Sequence, residues 1–307
     1  MNEPYQNYFE LSIVHFMAYP EVIRGNGPII ETLTEIAEDP FFTAVEVGPI
    51  NDASVRREAA FLLRRAHVKV GFGAQPIVLL GGHNPNDPDP DKRAQAIEVL
   101  KQAVDQAYEL GAGRMTLLSG PAPADPGARE EQIELLIDSL NQICAYAESE
   151  GNLGITLETF DPDIEKKSLI GPNADGVRVS EVVRNEHPNF GLMLDLGHIP
   201  IQHETIAEAL HTAKDHLVHA HISNCVMRNP DHPAYGDQHP RFGIEDGEND
   251  VPEVVEYLET LFEIGFLGSK TKPFVGFEVK PLPDEPPQIV IANAKRVFQE
   301  AWGQVQV

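Results

Sequence analysis

The sequence predicts an α/β fold, a (β/α)8 TIM barrel formed as a single domain over residues 1–307. Three observations carry this expectation. Short apolar runs of β type alternate with helical patterns along the whole chain, eight times over, which is the signature of successive parallel βα units. The length of 307 residues suits eight such units, a barrel typically needing about 250 residues. Charged and imidazole residues stand at the ends of the last four apolar runs, where a barrel places its functional groups. An open doubly wound sheet is the competitor, and it calls for a glycine fingerprint after an early strand. The segment GAGRMT at Gly111 follows a helix and precedes a strand instead, and no Walker pattern is present.

The eight expected strands are Ser12–Met17, Thr43–Val47, Val68–Gly73, Arg114–Leu118, Gly154–Glu158, Phe190–Asp195, Leu217–Ser223 and Phe274–Glu278. Three of the intervening helices are clearest. DKRAQAIEVLKQAVDQAYELG carries Ala94, Ile97, Val104, Ala107 and Tyr108 near helical spacing, with Gly111 as its stop. REEQIELLIDSLNQICAYAESEG is apolar at Ile133, Leu136, Ile137, Leu140 and Cys144 and is stopped by Gly151. VPEVVEYLETLFEIG has Pro252 in its first turn and Gly265 at its end. Loops rich in Pro, Asp and Gly follow strands three, four and seven, and in a barrel these belong to the functional face.

The chain carries 23 Lys and Arg against 48 Asp and Glu, a formal charge of −25. Such a surface repels a phosphate backbone, so a nucleic-acid partner is not expected. Two cysteines, Cys144 and Cys225, exclude a disulfide scaffold and a multi-cysteine metal site. No apolar run approaches the ~20 residues of a membrane span, and the N-terminal MNEPYQNYFELS does not read as a signal peptide. A soluble, cytoplasmic protein with no membrane partner is the expectation, with homo-oligomer formation left open.

The candidate chemistry sits at the strand ends. Strand five closes on Glu158, six on Asp195 with His198 after it, seven holds His219 and His221, and eight closes on Glu278 with Lys280 following. Any one of these carboxylates can be a helix cap or a salt-bridge partner, and His219 alone reads as a hydrogen-bonded core histidine. The conjunction argues otherwise. Glu158, Asp195, His221 and Glu278 fall at equivalent depth on four successive strands and therefore converge. Three carboxylates and one imidazole form a hard, oxygen-rich site whose charges repel unless a divalent cation joins them. Mn²⁺, Mg²⁺ or Co²⁺ suits that donor set best, with Zn²⁺ also able to bind. Further polar groups at the same end are Glu46, His15, Lys166 and Lys167; each has an equally good bland reading as a salt bridge or solvated charge.

In LETFD, DLGH, HAHISN, GDQHPRFGIEDGEND and GFEVK the chain resembles the xylose-isomerase-like TIM-barrel superfamily, the group of sugar phosphate isomerases and epimerases. The resemblance implies one divalent metal held by Glu158, Asp195, His221 and Glu278, with Glu158 and Glu278 doubling as the acid/base pair. It implies substrate contacts from His198 and Arg241; His239 is expected near the same site, and Lys280, which shares the strand parity of Glu278, points inward toward the substrate if the strand continues. A small sugar or polyol is then the ligand, and the reaction is proton abstraction next to a carbonyl. An inosose-type dehydratase is the alternative on the same scaffold. An endonuclease IV-like hydrolase is the remote one. Asp237 and His239 match the Asp-x-His pair of that nuclease branch, but the histidines it wants after strands three and four are missing from GFGAQP and LLSGP, and His83 lies well past strand three. One departure from the superfamily pattern stands in strand seven, where Asn224 replaces an acid.

Overall fold

A computed structural model describes residues 1, 3–268 and 271–307. Eight strands form one parallel sheet: β1 (Glu10–Ile13), β2 (Ala44–Val47), β3 (Lys69–Gly73), β4 (Ala112–Leu118), β5 (Gly154–Glu158), β6 (Phe190–Asp195), β7 (Leu217–Ile222) and β8 (Phe274–Phe277). From β2 to β8 each strand pairs with its sequence neighbour, and β8 pairs with β1. Between β1 and β2 the ring is drawn together by Thr43 N–H donating to Leu11 O at 3.0 Å and by a parallel bridge between Val14 and Glu46. A helix follows every strand, so the expected (β/α)8 barrel is the observed fold.

The helices begin and end where local chemistry dictates. Pro90–Leu110 opens with Asp89 accepting from Asp91 N–H and Lys92 N–H and with Pro90 in the first turn, and it closes on Gly111 at φ 78°, a conformation that costs glycine little. Val251–Glu263 opens with a reciprocal capping box between Asp250 and Glu253. One side of each strand faces this helical layer. Leu11, Ile13, Val45, Leu117, Ile155, Leu157, Leu192, Ile222, Val275 and Phe277 are fully buried there, at about 1.5–3 kcal/mol apiece for large side chains.

Strands β5 and β6 coincide with the sequence expectation to the residue. Strand one does not: the apolar run Ser12–Met17 is split, with β1 ending at Ile13 and a single helical turn occupying His15–Ala18. His15 is turned inward, its Nε2 within 2.7 Å of Thr32 Oγ1, and that buried pairing draws the chain out of the extended form. β4 starts two residues earlier than expected, β7 stops one residue short of Ser223, and β8 stops just before Glu278. Among the described residues no helix is long and apolar enough to cross a membrane.

Candidate metal centre

The interior register sets the site. Glu158 ends β5 and lies beside Met193 of β6, Asp195 ends β6 opposite His221 of β7, and His221 lies opposite Gly276 of β8, two residues before Glu278. Side chains of alternate residues enter the barrel, and all four groups meet at the C-terminal mouth. One ligand-type atom from each of Glu158, Asp195, His221 and Glu278 lies within 4.8 Å of the other three, and all four residues are buried. The convergence expected from strand position is thus present in the geometry.

Hydrogen bonds orient this cluster from outside and leave its centre open. Gln75 Nε2 donates to Glu158 Oε2 at 2.8 Å. Gly197 N–H (2.7 Å) and the Ser223 hydroxyl both donate to Asp195 Oδ1. His221 places Nε2 3.0 Å from Glu46 Oε2 and Nδ1 2.8 Å from Glu278 Oε2. The inner oxygens, Glu158 Oε1 and Asp195 Oδ2, are buried with no hydrogen-bond partner. Two buried carboxylate oxygens without donors cost several kcal/mol between them unless something positive fills the gap. The donor set, three carboxylates and one imidazole, fits a hard divalent cation.

Electrostatics within the cluster point the same way. Burial, together with the neighbouring Glu278 charge, pushes the Glu158 carboxyl up to about 8. Burial opposes the charge on Asp195 too, but the nearby imidazoles of His221, His198 and His239 hold its carboxyl below the usual range. His221 is driven well above the ordinary histidine value against its burial, by Glu46, by the neighbouring Asp195 carboxylate and by its hydrogen bond with Glu278. Protein groups alone thus supply positive charge where three carboxylates crowd, a task a cation performs better.

A second group adjoins the first. Asp237 Oδ1 lies 3.1 Å from His198 Nε2 and 2.8 Å from His239 Nε2, and neither Asp237 oxygen has a well-aligned hydrogen bond. His239 Nδ1 comes within 4.0 Å of Asp195 Oδ2, linking the two groups. His198 is fixed by Nδ1, which donates to Thr159 O at 2.9 Å, and by Phe160, whose ring centroid lies 4.4 Å away. A cavity of about 370 Å³ opens above, lined among others by Phe16, Gln75, Phe160, Lys166, His239 and Lys280. Lys280 is not on an inward strand position, since β8 has already ended; its Nζ donates to Gln238 Oε1 at 3.1 Å from a loop. Arg241 does not line this cavity. Its guanidinium is engaged by Glu285 at 2.8 Å.

Other sequence candidates have structural tasks. Glu46 and His219 lie one layer deeper, with Glu46 Oε1 accepting from Ser12 at 2.6 Å and 3.2 Å from His219 Nε2. Gly276 makes room for them: a Cβ there would approach Glu46 Oε1 to 2.4 Å. Asn224 Oδ1 accepts from Cys225 N–H and Asn249 N–H, tying the loop after β7 rather than facing the site. Lys166 is paired with Glu165 at 2.7 Å, Lys167 is exposed, and His83 borders a separate surface cleft. Gln75 and Ser223 were absent from the sequence candidates. Gln75 stands in the very GFGAQP segment whose lack of histidine was noted, and an uncharged amide there carries no signal by itself.

A family profile described as xylose isomerase-like TIM barrel matches residues 36–292, more than four-fifths of the chain. The chain belongs to the xylose isomerase-like TIM-barrel family. Among curated members of that kind of fold, it is 27% identical over 213 residues to the D-psicose 3-epimerase of Ruminiclostridium cellulolyticum, covering 65% of this chain and 64% of that protein. It is 38% identical over 74 residues to the probable endonuclease 4 of Acholeplasma laidlawii, 24% of either chain. The matched stretches thus span under two thirds of both relatives. A crystal structure of a D-tagatose 3-epimerase-like protein superposes with a TM-score of 0.72 at 18% identity, over 97% of this chain and all of that one, a likeness of fold. The xylose isomerase-like barrel accounts for the site's position at the C-terminal mouth.

Proposed function

We propose that this chain is a metal-dependent epimerase or isomerase of small keto- or aldo-sugars, with Glu158, Asp195, His221 and Glu278 as the ligands of one divalent cation. The observation that carries the reading is the pair of buried, unpartnered oxygens, Glu158 Oε1 and Asp195 Oδ2, aimed into a four-residue cluster. The likeness to a D-psicose 3-epimerase supports the substrate class. When bound, the cation supplies Lewis-acid stabilisation of the negative charge that develops on a substrate carbonyl oxygen.

The protein residues divide the remaining work. Glu158 and Glu278 come from β5 and from the residue after β8, with Asp195 and His221 on the arc between them, so they approach a bound sugar from different sides. One removes the proton next to the carbonyl and the other returns one, which inverts the carbon; a single carboxylate moving the proton between adjacent carbons gives isomerisation instead. Burial raises the Glu158 carboxyl and a bound cation would lower it, two opposing influences on a group that must hold and release a proton. Gln75 donates to the outer oxygen of Glu158 and so fixes the orientation of its carboxylate, with Oε1 toward the cluster. His239 and Lys280 border the substrate cavity, His198 stands 3.1 Å behind the cavity-lining Asp237, and the three are assigned to hydroxyl recognition; Arg241 reaches the cavity only by leaving Glu285. Mn²⁺, Mg²⁺ and Co²⁺ are the favoured ions.

The test is a panel of ketoses, aldoses, hydroxypyruvate and inososes with metal-loaded protein in D₂O, read by NMR. Deuterium at the carbon next to the carbonyl, with an epimer or isomer as product, is the expected result; loss of water in place of epimer would move the reading to a dehydratase. No incorporation from any substrate would overturn it. A second reading rests on Asp237, whose carboxylate stands between His198 and His239 and would take a second ion by displacing the Lys166 ammonium 3.5 Å from Oδ2. It predicts two equivalents of metal per chain and, in the manner of a two-ion hydrolase, cleavage of a phosphodiester.

A further inference from the structure

The opposite, N-terminal mouth of the barrel holds a cation that forms no ion pair among the described residues. Arg114, on β4, reaches into the barrel end, where its register partner on β5 is Gly154. The glycine is what admits it: a Cβ on Gly154 would stand 2.7 Å from the Arg114 guanidinium carbon. One edge of the guanidinium is anchored, with Nη1 donating to Thr156 Oγ1 at 3.0 Å and reaching Asn189 O at 3.4 Å. Nε and Nη2 make no hydrogen bond among the described residues, and no carboxylate forms an ion pair with Arg114. Burial pushes its guanidinium down to about 10, with no acidic neighbour opposing the shift.

Arg114 opens on a cavity of about 530 Å³, and the other charged groups lining it are Lys214 and Lys272. Both lysines are exposed, and neither forms an ion pair among the described residues. No Asp or Glu lines the cavity among the described residues; Glu10, on the adjoining strand β1, is paired with Lys69 at 2.7 Å and also feels the Lys272 charge, without forming an ion pair with it. The remaining wall is apolar or backbone, with Leu217, Phe266 and Phe274 prominent. Three like charges share one cavity, two of them exposed and Arg114 half-buried, and an anion seated among them would offset their mutual repulsion. Their convergence is the more telling in a chain of net charge −25, where carboxylates were plentiful and none was placed here.

We propose that this cavity is a binding site for a small oxyanion, a phosphate or carboxylate group, held by the free edge of the Arg114 fork and capped by Lys214 and Lys272. A planar guanidinium anchored on one edge presents two N–H groups in the spacing that phosphate and carboxylate oxygens accept bidentately. The apolar wall then takes the body of the molecule that bears the group. The site is separate from the centre at the other mouth and stands whether or not the chemistry proposed there is correct.

The test is calorimetric titration of the full chain with inorganic phosphate and with citrate at constant ionic strength, chloride serving as the control anion. Saturable binding with a Kd at or below about 1 mM is expected for at least one of the two probes. Binding of phosphate alone assigns the site to a phosphoryl group, and of citrate alone to a carboxylate. Arg114→Gln should weaken binding at least tenfold, and Arg114→Lys, which keeps the charge but loses the fork, should fall between. Should Arg114→Gln fail to fold, the surface double variant Lys214→Gln/Lys272→Gln carries the test with the same tenfold loss. Absence of saturable binding by either probe, or affinity unchanged in the double variant, would overturn the proposal. Binding unchanged there but abolished by Glu278→Gln would place the anion at the other mouth and overturn it equally.

Discussion

Two clusters of the same residue types lie one layer apart inside this barrel and share a histidine. In the lower cluster Glu46 has every near neighbour it needs: Ser12 and His219 at one oxygen, His221 at the other. In the upper cluster Glu158 and Asp195 each have one oxygen satisfied and one bare. Both are equally buried, so burial does not distinguish them. The count of donors does. A buried carboxylate with all its donors present is a fixed part of the barrel, and one whose inner oxygen is bare is shaped for something that comes from solution. His221 joins the two, its Nε2 held by Glu46 so that Nδ1 faces the open centre.

The comparison is broken most sharply at the bare oxygens. Glu158→Gln and Glu278→Gln should each lower kcat by about 10²–10⁴, the usual worth of a positioned acid or base, with metal content measured in parallel so that an empty site is not mistaken for a missing base. Near-wild-type turnover in both, with metal bound, would end the acid/base assignment. The satisfied cluster should respond differently. In Glu46→Gln one acceptor oxygen replaces the two that face His219 and His221, so it should leave His221 loosely aimed and weaken divalent-metal affinity about 10–100-fold without removing any ligand. A stoichiometric titration of that variant against wild type reads the effect, and unchanged affinity would show that Glu46 only fills space. His198→Asn should act chiefly on KM, since it removes a contact shared by ground and transition states.

The smallest effect sharpens the satisfied side of the comparison. Burial pushes His15 down to about 3, so it stays neutral in the folded chain while its unfolded counterpart takes a proton near pH 6.5. Between those values the unfolded state holds more protons, and stability falls as pH falls, by up to about 1.4 kcal/mol per pH unit from this group; above pH 6.5 the contribution is fully present. His15→Gln should flatten that part of the stability profile, measured by denaturant unfolding from pH 7 to pH 4. An unaltered slope would mean that His15 is not held neutral.

Much of this architecture was legible in the residues. β5 and β6 were, because their apolar runs are cut off by a single carboxylate, and the convergence of Glu158, Asp195, His221 and Glu278 followed from strand parity. β1 was not, since Ser12–Met17 is one apolar run in the sequence and a strand plus a helical turn in space, separated by the His15–Thr32 pairing across 17 residues. Gln75 and Ser223 escaped for a similar reason: an amide or hydroxyl gains its meaning only from the carboxylate it meets. Arg241 shows the reverse. Its motif aimed it at the substrate, and Glu285, 44 residues further along, claims it.

The most direct test of the central claim is equilibrium titration of purified chain with Mn²⁺, wild type beside Asp195→Asn and Glu46→Gln. The account predicts tight binding to wild type, binding lost in Asp195→Asn where an inner oxygen loses its charge, and an intermediate affinity in Glu46→Gln. Failure of the wild type to bind, or equal affinity in all three, would contradict it.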